Sequence, residues 1–142
     1  MMKFMIIVKA TKDSEAGAKP DPAMWDAMGK FNEELIKAGI MKEAAGLKPS
    51  SKGKRVTFSG KNRAVVDGPF AETRELVAGF WIWECKSIDE AVEWVKKCPN
   101  PMQGESDIEI RPFHEMEDLA EMLTPEQYAK LEERKAALAA KN

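Results

Sequence analysis

Hydrophobic and polar residues alternate at the start of the chain in the manner of a β-strand. Within residues 3–9, the even-numbered positions carry Phe, Ile and Val, and the odd-numbered positions from 5 onward carry Met, Ile and Lys. Both faces are mostly apolar, which is typical of a central strand covered on both sides. The pattern therefore predicts that the chain opens with a central strand.

A helical period replaces the alternation after residue 20. Apolar residues between Met24 and Ala38 recur at spacings of three and four, which places them on one face of an α-helix. Asp21 and Pro22 are typical of the N-cap and first position of a helix, and Gly39 of its end. The ten residues before this helix, 10–19, have no periodicity and predict a long loop. Such a loop either borders a pocket or is a solvated insertion.

The rest of the chain predicts strands first and helices later. Expected strands cover residues 40–48, 55–59 and 63–66 (a hairpin), 76–85 and 108–111. A capping-box pattern at Ser87 predicts a helix that ends at Pro99, and a second pattern at Thr124 predicts a helix over 125–140. The order of strands and helices resembles two related βαβ halves.

The strand at 76–85 has large residues on both faces. Trp81 and Trp83 share one face, and Phe80 and Ile82 share the other. A sheet with helices on one face leaves its second face to be covered by something else. We interpret the tryptophan face as a contact surface for a second subunit; the alternative is that a loop or the C-terminal helix covers it.

Composition narrows the class of protein. The chain has 142 residues and a net charge of −2, which predicts one soluble domain with an appended helix and no attraction to nucleic acid. No apolar run approaches the ~18 residues of a membrane span. Cys85 and Cys98 lack metal-site spacing, and His114 is the single histidine. We therefore predict a cytoplasmic protein with reduced thiols, no metal, no cofactor, and no nucleic-acid or membrane partner.

The segment from Asp67 to Glu75 is the main candidate for chemistry. Gly68 and Pro69 favour a stiff corner that would hold the Asp67 carboxylate in one direction. Asp67 is thus the candidate general acid or base, if neighbouring apolar groups desolvate it. An ordinary tight turn, with Asp67 capping its own backbone amides, explains the same residues.

A basic stretch precedes this corner. From Lys42 to Arg63 there are seven Lys or Arg and a single acid. Lysines that protect a solvated hairpin edge account for this pattern, and so does a rim that attracts a small anion. For such an anion the candidate binding residues are Lys48, Ser50, Arg63 and Arg74.

Several ordered segments resemble the YCII-related family, in the branch named for its Asp-Gly-Pro-Phe motif. They are Lys3–Ile7, Phe31–Leu35, Gly46–Gly53, Asp67–Thr73, Ala91–Trp94, Cys98–Pro101 and Ile108–Pro112. The resemblance covers residues 1–118 and leaves 119–142 as a C-terminal helical extension. It implies an α+β fold of ferredoxin-like, split-βαβ type with an inserted β-hairpin and the extra helix. It also implies a homodimer joined through its sheets into a dimeric α+β barrel.

The resemblance implies less about activity. Related YCII proteins include a chloromuconolactone dehalogenase, and others carry a His–Asp pair, but His114 follows the last strand here and no histidine lies near the first. Members of the branch are often encoded beside sigma factors, which is consistent with regulation. We expect a homodimer that binds a small anionic metabolite in a cleft beside Asp67–Phe70. The alternative is a lyase or isomerase, similar to the dehalogenase, that uses Asp67 as general acid or base.

Overall fold

The computed structural model describes residues 1–141 and divides the chain into two compact units. The first unit is Met1–Pro112, and the second begins at Phe113. The predicted domain boundary at residue 118 lies inside a short helix of the second unit, Met116–Ala120. The prediction that the family domain ends at residue 118 stays a prediction.

The first unit contains both strands and helices. In chain order its elements are β1 (Met2–Lys9), α1 (Lys12–Glu15), α2 (Pro22–Lys37), β2 (Met41–Gly46), β3 (Lys54–Ser59), β4 (Asn62–Asp67), β5 (Val77–Cys85), α3 (Ile88–Lys97) and β6 (Ile108–Pro112). The second unit contains α4 (Met116–Ala120) and α5 (Pro125–Ala140). The predicted hairpin, first long helix and C-terminal helix are confirmed within two residues at each end.

The strands form an antiparallel sheet and a separate hairpin. The sheet has the order β2-β5-β1-β6, and β3 pairs with β4 alone. This order, with a helix after the first strand and another after β5, is consistent with a ferredoxin-like α+β fold. The predicted fold class and the inserted hairpin are therefore confirmed.

Local sequence explains where α2 begins and ends. The Asp21 carboxylate accepts a hydrogen bond from the backbone N–H of Ala23, which satisfies one of the free donors of the first turn. At the other end Gly39 has a φ of 74°, a left-handed conformation that glycine adopts without strain. The chain can therefore turn directly from α2 into β2.

The tryptophan face of β5 lies inside the first unit. Trp81 is 6% exposed and Trp83 is fully buried. Phe31 of α2 packs edge-on against both, with ring centroids 6.3 and 6.2 Å away. Our interpretation of these tryptophans as a subunit contact surface is wrong, because the helices of the same chain cover them. The half-buried side chains of Phe80 and Ile82 point to the opposite face.

The loop between β1 and α2 is more ordered than its sequence predicts. It contains α1, which begins with a capping box between Thr11 and Ser14. The Glu15 carboxylate at the end of α1 accepts two hydrogen bonds from Ser50, one from its backbone N–H and one from its hydroxyl. Tertiary contact thus fixes a segment that lacks a periodic pattern.

Candidate functional site

The Asp67–Phe70 turn packs closely against the segment that precedes β3. Gly68 donates its backbone N–H to the Gly53 carbonyl at 3.0 Å, and the Phe70 N–H donates to the Ser50 hydroxyl at 3.1 Å. The Gly68–Pro69 peptide bond is cis. A Cβ atom added to Gly68 would lie 1.7 Å from the Ser50 carbonyl oxygen, so this position accepts only glycine.

A cleft of about 570 Å³ lies beside this turn. Lys48, Lys52 and Arg55 line it, together with the apolar side chains of Leu47, Phe70, Leu76 and Val77. Glu15 is the single carboxylate in its lining, and both of its oxygens already accept hydrogen bonds from Ser50. The lining is therefore cationic, with an apolar wall.

The cationic side chains of the cleft differ in whether they already interact with other residues of the chain. Arg55 lies over the Phe70 ring at 3.9 Å from its centroid and pairs with Glu72 at 3.5 Å. Within residues 1–141, the side-chain amines of Lys48 and Lys52 have no carboxylate within salt-bridge distance and no hydrogen-bond partner. These two amines are available to an incoming anion.

Asp67 does not face this cleft. Its side chain is 73% exposed and pairs with Lys54 across the hairpin. It is absent from the lining of the cleft, although the turn that it begins packs beside it. A general acid or base has to reach substrate within a cavity. The placement of Asp67 therefore does not favour the lyase or isomerase alternative.

The four predicted ligand-binding residues do not come together. Lys48 and Ser50 line the cleft. Arg63 lies at the hairpin end, where its guanidinium donates to the carbonyls of Gly60 and Asn62 and lies over the Phe58 ring. Arg74 lines a different cavity, of about 390 Å³. The binding roles of all four stay predictions.

Sequence reasoning missed Glu15, Lys52 and Arg55 as parts of the cleft. Lys52 and Arg55 belong to the basic stretch that suggested an anion site, so the signal was present without its geometry. Glu15 lies 35 residues before its partner Ser50, in a loop expected only to border a pocket or to be solvated. No local pattern identifies such a contact.

Neither thiol is suited to nucleophilic chemistry near neutral pH. Burial, followed by the neighbouring Glu90 carboxylate, raises the pKa of Cys85 to about 11. Burial alone raises the pKa of Cys98 to about 11. Since the thiolate is the reactive form, both side chains are expected to act as packing groups.

Residues 1–141 offer no support for a metal site or a membrane span. Within this range no group of three or more His, Cys, Asp or Glu side chains is arranged to hold a metal ion. None of the helices described over the same range combines the length and the apolar character needed to span a bilayer.

Comparison with known proteins identifies relatives. Residues 2–114 match the family described as the YCII-related domain. An uncharacterised protein of Rhizobium meliloti (strain 1021) is 34% identical over 86 residues, which is 61% of this chain and 69% of that protein. The match to the family spans the four-stranded sheet, the hairpin and the cleft.

Proposed function

The chain belongs to the YCII-related family, and from that premise we propose that it binds a small anionic metabolite in the cleft beside Asp67–Phe70. The observation that carries this proposal is the pair of unpartnered amines, Lys48 and Lys52, in a lining whose one carboxylate is occupied by Ser50. We place the chain in the Asp-Gly-Pro-Phe branch of the family on the turn itself. A regulatory role fits ligand binding without a catalytic group.

Electrostatics favours an anion at this place. Two lysines and one arginine line the cleft with the single carboxylate of Glu15, so the lining has a net positive charge that attracts an anion. The apolar wall formed by Leu47 and Phe70 suits a ligand with a small hydrophobic part. Because the lysines are exposed, the attraction is screened by salt, and binding should weaken as ionic strength rises.

Removing the two amines tests this proposal. We expect the Lys48→Gln/Lys52→Gln double variant to bind citrate or a comparable small carboxylate at least about tenfold more weakly than the natural sequence, since two charged contacts are lost. Isothermal titration calorimetry at low and at physiological salt measures the change.

The matched control is Lys61→Gln/Lys86→Gln, which removes two exposed lysines that do not line the cleft. It should leave the affinity within about twofold. Equal weakening by both double variants would show that net charge, and not the cleft, determines binding. If a panel of small carboxylates and phosphate shows no saturable binding to the natural sequence, the anion proposal fails.

We also propose that the protein is a homodimer joined through the face of its sheet that carries Phe80 and Ile82. Met5 and Ile7 lie beside them on β1, and α2 and α3 pack on the other face. Charges at the rim pair with one another, as in Lys9–Glu109 at 3.5 Å and Arg111–Glu109 at 3.1 Å. The hydrogen bond from Arg111, and then Lys9, lowers the pKa of Glu109, so this carboxylate stays charged. An apolar centre within a paired polar rim is typical of protein interfaces.

The proposed dimer can be tested by its mass in solution and by a substitution at the centre of the interface. Light scattering should give about twice the chain mass of 15.9 kDa. Ile82→Glu should shift the protein toward monomer, because it places a charge in the apolar centre of the interface. Ile36→Glu is the control, since Ile36 is 62% exposed on α2 and should leave the mass unchanged. A monomeric natural protein, or an Ile82→Glu variant of unchanged mass, contradicts this interface.

A further inference from the structure

We propose that the first unit holds a second ligand site, which takes an uncharged, largely apolar small molecule. It is the cavity of about 660 Å³ between the β1–α2 loop, the first turn of α2 and the loop that follows α3. This site is distinct from the anion-binding cleft, and a ligand can bind here whether or not the cleft binds an anion.

The size and lining of the cavity fit a small organic ligand. Its volume lies within the range of small-molecule sites, and its lining includes the apolar residues Met24, Leu47, Ala78, Pro101 and Met102. A smaller cavity of about 250 Å³ shares Ala78, Pro101 and Met102 with it and extends to Trp81. Two methionines suit a site that adapts to ligand shape, because their side chains are unbranched and flexible.

Hydrogen bonds hold the walls of the cavity in place. The Asn100 side chain donates to the Gly104 carbonyl and accepts from the Met102 N–H and the Ser106 hydroxyl. The capping box of Thr11 fixes the start of α1, and the Thr11 hydroxyl donates to the Met102 sulfur at 3.7 Å, which joins the β1–α2 loop to the loop after α3. The cavity is thus largely formed before a ligand arrives, which reduces the ordering cost of binding.

The charges around this cavity do not select an anion. Its lining includes the carboxylates of Asp13 and Asp21 and one cation, Lys19, whereas the cleft beside it has three cations and an occupied carboxylate. Leu47 and Pro49 line both spaces, so the two sites are neighbours. Two neighbouring sites, one suited to an anion and the other to an uncharged ligand, would discriminate between ligand classes.

A neutral fluorescent probe tests the proposal. N-phenyl-1-naphthylamine, which is apolar and uncharged near neutral pH, should bind the natural protein saturably with an increase in emission. Met102→Lys should weaken this binding at least tenfold, because it places an ammonium group in the apolar lining of both cavities. Met122→Lys is the matched control, since Met122 is 58% exposed and lies in the second unit, and it should leave the affinity unchanged.

A second variant keeps the test independent of folding defects. Ala18 is exposed and lines the cavity, so Ala18→Trp should fill it and weaken probe binding by a similar factor without disturbing the core. The lysine pair that defines the anion site is a further control: Lys48→Gln/Lys52→Gln should leave probe binding unchanged, whatever it does to citrate. Absence of saturable probe binding, or equal affinity in the Ala18→Trp and Met122→Lys variants, overturns the second site.

Discussion

Replacing Trp83 by alanine should lower the free energy of unfolding by about 3–5 kcal/mol, the usual cost of removing a large aromatic side chain from a core. Trp83 is fully buried, and its ring lies 5.7 Å from Trp81 and 6.2 Å from Phe31, centroid to centroid. It also pairs with Phe4 of β1 and Met41 of β2 in the sheet. One substitution therefore removes packing at the centre of the sheet and beneath α2.

The loss should come from packing and not from hydrogen bonding. The indole N–H of Trp83 is buried and has no hydrogen-bond partner among the described residues. Trp83→Phe keeps much of the ring and removes this unpaired donor, so it should cost clearly less than Trp83→Ala. Urea denaturation followed by far-UV circular dichroism measures both changes without relying on tryptophan emission.

Trp25 provides the matched control. It is the same residue type in α2, but 67% exposed. Trp25→Ala should therefore change stability by no more than about 0.5 kcal/mol. Similar losses at the two positions would mean that the core is not centred on β5 as the structure shows.

Gly68→Ala should be nearly as damaging, with an expected loss of about 3 kcal/mol from overpacking against backbone. The added methyl group would lie 1.7 Å from the Ser50 carbonyl oxygen, so one of two backbone segments has to move. Such movement also strains the hydrogen bonds Gly68–Gly53 and Phe70–Ser50, each worth about 1 kcal/mol. Chemical denaturation measures the loss, and citrate titration shows whether the cleft is retained.

Replacing Gly29 by alanine should raise the free energy of unfolding, whereas Gly68→Ala lowers it. Gly29 lies within α2, and outside the adjacent backbone of that helix no atom lies within 4 Å of a Cβ added there. Alanine is the better helix former, so Gly29→Ala should stabilise the protein by about 0.5–1 kcal/mol. A neutral Gly68→Ala would contradict the close packing of the turn against Ser50.

Patterns within one element predicted the fold well. The alternation in β1, the caps of α2 and the hairpin residues are local, and each is found at its predicted place. The covered face of β5 was assigned wrongly, because alternation shows that two faces differ but not which one α2 covers. The covered face is decided by the contact of Phe31 with Trp81 and Trp83, which lie about 50 residues after Phe31 in the sequence.

The candidate site was predictable only in part, because local patterns do not show which distant residues meet. The basic stretch indicated an anion site, and Lys48 and Ser50 do line one cleft. Arg63 is the last residue of that stretch, but it lies at the far end of the exposed hairpin. Asp67 follows four residues later, and its exposed side chain pairs with Lys54. The directions of these two side chains depend on the pairing of β3 with β4 and on the packing of Gly68 against Ser50 and Gly53. Neither can be predicted from residue type alone.

The separate pairing of β3 with β4 has a consequence for how such proteins can diverge. These two strands share no ladder with the four-stranded sheet, so their register is independent of it. Matched insertions in both strands would lengthen the β3–β4 hairpin, which forms an arm outside the four-stranded sheet. Substitutions at exposed positions such as Phe58 and Val65 would change the surface of this arm and leave the core as it is. Natural selection can therefore vary the length and charge of the arm without altering the core.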